Sequence, residues 1–187
     1  MNQDFITIPT WDNGVWTSTS FSTREDFRLY ILTLFKEPGE YAFDETAHEF
    51  NAQAHKFRKD GIFCNAPTRS KDFIAYWDDQ KLKCRRGALY HNKGKTWYLT
   101  RDYYMFLNFL QINDKAAKKF DFPGIRDVQY HMALYELLAE LHYQHVAILK
   151  KRQMASSYFH CAKMINLIWF EETPIIKMGA SHKDYIN

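Results

Sequence analysis

HVAILKKRQMASSYFHCAKMINLIWF, residues 145–170, is the stretch on which the fold class turns. HVAILK is a compact apolar run suited to a buried parallel strand, KRQMAS is a polar loop, and SYFHCAKMINLIWF carries apolar residues at helical spacing. Thr173-Pro174 then opens a second short apolar strand, IIKMGAS. Strand, loop, helix and strand in this order predict the opening βαβ unit of an α/β nucleotide-binding domain, with a parallel sheet and a right-handed crossover.

Moving towards the N-terminus, IRDVQYHMALYELLAELHYQ reads as a long helix, set off from what precedes it by Pro123-Gly124. RDYYMFLNFL reads as a short aromatic helix, with Tyr103, Tyr104, Phe106 and Phe109 assigned to the core. ALYHNKGKTWYLT has alternating apolar residues on both sides of Asn92-Lys93-Gly94-Lys95 and predicts a β-hairpin. Ser70 caps a helix ending at Gly87, with Phe73, Ile74, Trp77 and Leu82 expected on its buried face. A further helix is expected from about Asp44 to Lys59, and another from Thr23 to the stop at Pro38-Gly39. Residues 1–22 show no sustained period and read as an irregular arm. The expected division is therefore an arm over 1–22, a helical and hairpin region over 23–122, and the start of an ATPase domain over 123–187.

Composition narrows the class without naming it. A hydrophobic share of 46% and an aromatic share of 17% describe an ordered globular chain. A net charge of +3 is too small to identify a nucleic-acid binder by electrostatics. Three widely spaced cysteines and an opening without a basic start and apolar core point to a reduced, cytoplasmic setting. The longest apolar stretch is far short of a membrane span, so the chain is expected to be soluble.

A phosphate-binding loop requires a strand that ends in a tight loop of backbone N–H groups, with the N-terminus of a helix facing the phosphates. Lys150, Lys151, Arg152, Gln153, Met154, Ala155, Ser156 and Ser157 occupy that position. The usual Gly-Lys-Ser/Thr ending is replaced here by Ala155, Ser156 and Ser157, and the Cβ of Ala155 opposes close backbone approach.

Deviant loops of this kind, with the lysine moved to the loop start and an arginine inside it, occur in the large terminase subunits of tailed phages, and Lys150-Lys151-Arg152 resembles that arrangement. IRDVQYHM is similar to the family's adenine-recognising glutamine segment. GALYHNKGKTWYLTRDYYMFLNF resembles its Asn-x-Gly, Tyr-Leu-Thr, aromatic-pair and Phe-Leu stretch, and IIKMGASHKDYIN resembles the strand and loop after its Walker A helix. The four segments occur in the family order and cover roughly residues 71–187; the first seventy residues match no motif.

The resemblance implies an ATP-hydrolysing motor that translocates double-stranded viral DNA into a procapsid, with ATP and Mg²⁺ as cofactors. The implied fold is a mainly helical N-terminal region with a β-hairpin, followed by the opening βαβ unit of a P-loop (RecA-like) domain that stops short of completion. Gln129 would bind the adenine edge, with Tyr130 as a stacking neighbour. Lys150, or else Lys151, would neutralise the β- and γ-phosphates, and Arg152 would act as an arginine finger within the same chain. Gln153, Met154, Ala155 and Ser156 would complete the ATP-binding loop, and Ser157 would ligate Mg²⁺. Implied partners are the portal protein, the small terminase subunit and further copies in a ring on the portal, in the host cytoplasm and transiently on the procapsid, with no membrane. Residues 1–187 alone, lacking a Walker B carboxylate, are expected not to sustain turnover.

Plainer readings stand beside each assignment. Lys150, Lys151 and Arg152 also read as a solvated basic turn, and Gln129 as a polar position on a helix whose apolar face uses Val128, Met132, Tyr135 and Leu138. His48 with His55, and His142 with His145, read as structural or surface histidines. An inactive ATPase-like module that binds nucleic acid or a capsid component is the main alternative, and a helicase-like or repair ATPase is a third.

Overall fold

The computed structural model describes residues 6–35, 48–92, 94–114, 118–149 and 156–177. The chain is α/β, and among the described residues it has six helices, a four-stranded mixed sheet and a small two-stranded ribbon. The sheet is N-terminal, which the sequence pattern did not lead us to expect. Strands β1 (Ile6–Asp12) and β2 (Val15–Phe21) form an antiparallel hairpin where an irregular arm was expected. Its turn is Asn13-Gly14, with φ of +45° and +105°, the left-handed backbone that a two-residue hairpin demands.

From β2 the chain enters α1 (Arg24–Thr33), capped by the Thr23 hydroxyl, which accepts from the Asp26 amide. A 3-10 turn over Glu49–Asn51 leads into α2 (Ala52–Asp60), so the helix expected from Asp44 starts later among the described residues. Next comes α3 (Lys71–Arg86), capped by Ser70 through the Phe73 amide. Strand β3 (Ala88–Asn92) then lies parallel to β1, and β4 (Lys95–Leu99) returns antiparallel to β3, as the hairpin pattern predicts. The sheet order is β2-β1-β3-β4.

The expected buried face of α3 holds only in part: Phe73 and Trp77 are half-buried, with Trp77 packed against Phe63 and Phe109. Ile74 and Leu82 are exposed, whereas Gln80, Lys83 and Cys84 are buried. Lys83 is tolerated inside because its ammonium lies 2.6 Å from Asp79 and 3.4 Å from the centre of the Trp16 ring on β2, two interactions that offset desolvation. Hydrophobicity alone assigns such a lysine to solvent.

Helix α4 (Arg101–Phe109) is the aromatic helix, and every residue from Asp102 to Asn108 is buried. It packs against α3, α2, β4 and two C-terminal helices, α5 (Asp127–Leu141) and α6 (Ser156–Phe170). Asn108 donates to the carbonyls of Phe50 and Tyr104, and Tyr104 donates to Gln80. Between α4 and α5 lies the ribbon of β5 (Ile112–Asp114) and β6 (Lys119–Asp121). One apolar cluster runs through all of this, joining Phe27 and Tyr98 to Tyr130 and Phe159, so the expected boundary at 122/123 does not separate two cores.

The βαβ unit expected around residues 145–178 is absent among the described residues. Residues 144–149 and 174–177 are irregular, and only the intervening helix is formed. A parallel strand needs neighbours, and the four-stranded sheet does not recruit these runs. Leu149 and Ile175 consequently stand almost fully in solvent.

Candidate nucleotide site

Helices α5 and α6 carry the described part of the proposed site. Glu136 of α5 faces His160 and Lys163 of α6, and Glu140, one turn further on, faces Lys163 again. Three ion pairs thus join the C-terminal half of α5 to the N-terminal half of α6. Gln129 lies near the start of α5, and Ser156-Ser157 at the start of α6.

The staple between the helices is ionic. His160 donates from Nε2 to Glu136 at 2.9 Å and from Nδ1 to the Ser156 carbonyl at 2.7 Å. Both partners are acceptors, so the geometry favours the doubly protonated ring. Its bond to Glu136 accordingly holds the His160 pKa above the ordinary value. Burial pushes the Glu136 carboxyl up, but the bonds from His160 and Lys163 outweigh it and hold that carboxyl below the usual range. Arg101 extends the network to Glu140 and Glu171, at 3.6 and 2.8 Å. Asp102 beside it is pushed up to about 6 by burial, which the nearby Arg101 and Lys163 only partly oppose.

Gln129 is buried, and so are Tyr130, Met132, Ala133 and Leu134, while Val128 and Tyr135 are exposed. The inward face of α5 is therefore rotated from the amphipathic pattern and brings Gln129 into the protein. Beside it, walled by Ile112, Phe122, Pro123, Gly124 and Arg126, is a cavity of about 80 Å³, room for a water molecule or two rather than a base. Tyr130 is 1% exposed and its hydroxyl accepts from the Tyr98 amide at 3.1 Å, so neither ring face is open for stacking. It serves the core, edge-on to Trp97.

Ser156 is buried and Ser157 exposed at the first turn of α6, and an accessible hydroxyl at a helix start suits an anion or a hydrated cation. Lys150, Lys151, Arg152, Gln153, Met154 and Ala155 lie outside the described residues. Among the described residues no group of three His, Cys, Asp or Glu side chains is placed to hold a metal ion. No helix among them is long and apolar enough to cross a membrane.

The ionic staple escaped the sequence reading, although its signal was present: Glu136 and Glu140 share one helical face by i,i+4 spacing, and His160 and Lys163 share another by i,i+3. No family model matches the chain, and neither a curated protein nor a solved structure is significantly similar to it.

Proposed function

We propose that this chain is the front part of an ATP-driven DNA-packaging motor of the large-terminase kind, with ATP bound between the Gln129 helix and the 150–157 loop. The observation that carries the reading is the ionic linkage of the Gln129 helix to the helix that starts at Ser156-Ser157, through Glu136, Glu140, His160 and Lys163. The order of terminase-like segments along the sequence supports it independently. In this reading the RecA-like strands at 145–150 and 175–178 form when further parallel strands pair with them, and the Pro123-Gly124 turn shifts to admit the adenine to Gln129. Lys150 or Lys151 meets the phosphates, Arg152 stabilises developing charge, and Ser157 ligates Mg²⁺. The motor also requires a Walker B carboxylate, which the described residues do not supply.

The test is calorimetric titration of the chain with Mg·ATP, alongside a phosphate-release assay. Weak saturable binding without sustained turnover is expected. Lys150→Ala with Lys151→Ala should reduce affinity by at least about tenfold, since each phosphate ion pair is charge-assisted, whereas Lys93→Ala with Lys95→Ala should not. Equal affinity in the two double variants, or no binding by the parent, overturns the reading.

A further inference from the structure

A groove of about 790 Å³, within the range of ordinary ligand sites, opens between the start of α1, the end of α3 and the outer part of α5. It shares Arg101 and Glu140 with the ionic staple, but it contains neither Gln129, Tyr130, Ser156 nor Ser157. Its floor is aliphatic, built from Ile6 and Ile8 of β1 and Leu137 and Leu141 of α5. Four arginines line it, Arg24, Arg85, Arg86 and Arg101, against one carboxylate, Glu140. Arg101 is neutralised by its acidic neighbours. The other three are not: Arg24 donates to the Tyr143 hydroxyl and the Glu140 carbonyl, Arg86 donates to the Thr7 carbonyl, and Arg85 makes no ion pair among the described residues. Three uncompensated guanidinium groups thus surround an apolar, low-dielectric floor, an arrangement that focuses positive potential into the groove.

We infer that this groove docks an acidic, apolar peptide segment of a partner protein. Carboxylates of such a segment engage Arg24, Arg85 and Arg86 through forked, charge-assisted hydrogen bonds, and the apolar side chains between them cover the floor. A single-stranded nucleic acid fits less well, because it needs open ring faces for stacking. The groove's two rings, Phe27 and Tyr98, are 4% and 3% exposed and offer none. A duplex backbone would use the arginines but leave the aliphatic floor wet.

The experiment is fluorescence anisotropy on the full chain with four probes: a labelled peptide alternating Glu with Leu and Phe, a matched Glu/Ser peptide, a Lys/Leu peptide and an oligothymidine. The Glu/Leu/Phe peptide should bind saturably and at least about tenfold more tightly than each of the other three, with affinity falling as salt rises. Arg85→Glu with Arg86→Glu should weaken it at least about tenfold at an unchanged circular dichroism spectrum. If that pair disturbs folding, Arg85→Ala, at an exposed and unpaired side chain, should still weaken binding severalfold. Tighter binding of oligothymidine, equal binding of the Glu/Ser peptide, no saturable binding of the Glu/Leu/Phe peptide, or binding indifferent to Arg85 would each overturn the proposal.

Discussion

Replacing Gly87 by alanine tests how α3 is joined to the sheet. Gly87 has φ +75° and ψ −171°, a backbone region open essentially to glycine alone, so a Cβ there costs about 1–3 kcal/mol in strain. The same Cβ would overlap the Leu99 carbonyl oxygen and fall 2.6 Å from the Tyr98 hydroxyl. Neither neighbour yields cheaply. Leu99 is backbone in β4, paired with Ala88, and the Tyr98 hydroxyl donates to the Arg86 carbonyl at 2.6 Å. Displacing Tyr98 leaves a buried donor and acceptor unsatisfied, a further cost of about 1–3 kcal/mol. Together the two effects predict a loss of about 2–6 kcal/mol, a large part of the roughly 5–15 kcal/mol that stabilises an ordinary domain. Urea denaturation followed by far-ultraviolet circular dichroism measures it. Gly14→Ala is the control: its φ is +105°, yet a Cβ would meet nothing within 4 Å, so strain alone, about 1–2 kcal/mol, is expected. A loss below about 1 kcal/mol in Gly87→Ala, or equal losses in the two variants, refutes the clash argument.

Three other outcomes follow from the charges and from Gln129. His160 has a folded pKa raised by Glu136, so its stabilisation is complete below the unfolded value of about 6.5 and is lost as pH climbs through the folded value; His160→Gln should flatten the stability–pH curve there, and an unchanged slope would remove the staple. Asp102 is held at about 6 by burial, so the folded state keeps a proton that the unfolded chain releases and stability falls as pH rises from about 4 to about 6. Asp102→Asn should abolish that fall and gain on the order of 1 kcal/mol at pH 7 by urea midpoint, and a variant less stable than the parent at pH 7 would contradict it. Gln129→Ala should weaken Mg·ATP binding by about 1–3 kcal/mol in calorimetry if its amide meets the base, and unaltered affinity would exclude Gln129 from the site.

Most helices were legible because their punctuation is local: Thr23 and Ser70 cap, Gly61 and Gly87 stop, and the hairpin of β3 and β4 follows from Gly94 between alternating runs. The first hairpin was equally legible and was overlooked, since Asn13-Gly14 between Trp-, Thr- and Ile-bearing segments is a strong short-range turn signal. What failed was long-range. Whether HVAILK forms a strand depends on neighbours that local pattern does not reveal, and the burial of Lys83 depends on Trp16, which lies 67 positions earlier in the chain (83 − 16). The site divided in the same way. Gln129 was singled out by its segment, and its inward orientation is a tertiary fact set by the packing of α5. Tyr130, adjacent and aromatic, looked like a stacking partner by composition, whereas its hydroxyl is committed to the Tyr98 amide.

The wholly buried α4 bears on how this sequence can change over time. A typical surface helix offers about half its positions to solvent, where replacements are nearly neutral. From Asp102 to Asn108 there are seven consecutive positions without such freedom. The helix packs against α2, α3, β4, α5, α6 and the segment around Phe50, so a change in volume must be matched on another element. Drift in this segment is therefore restricted to paired replacements, while the exposed residues of α1 and α3 remain open to single ones.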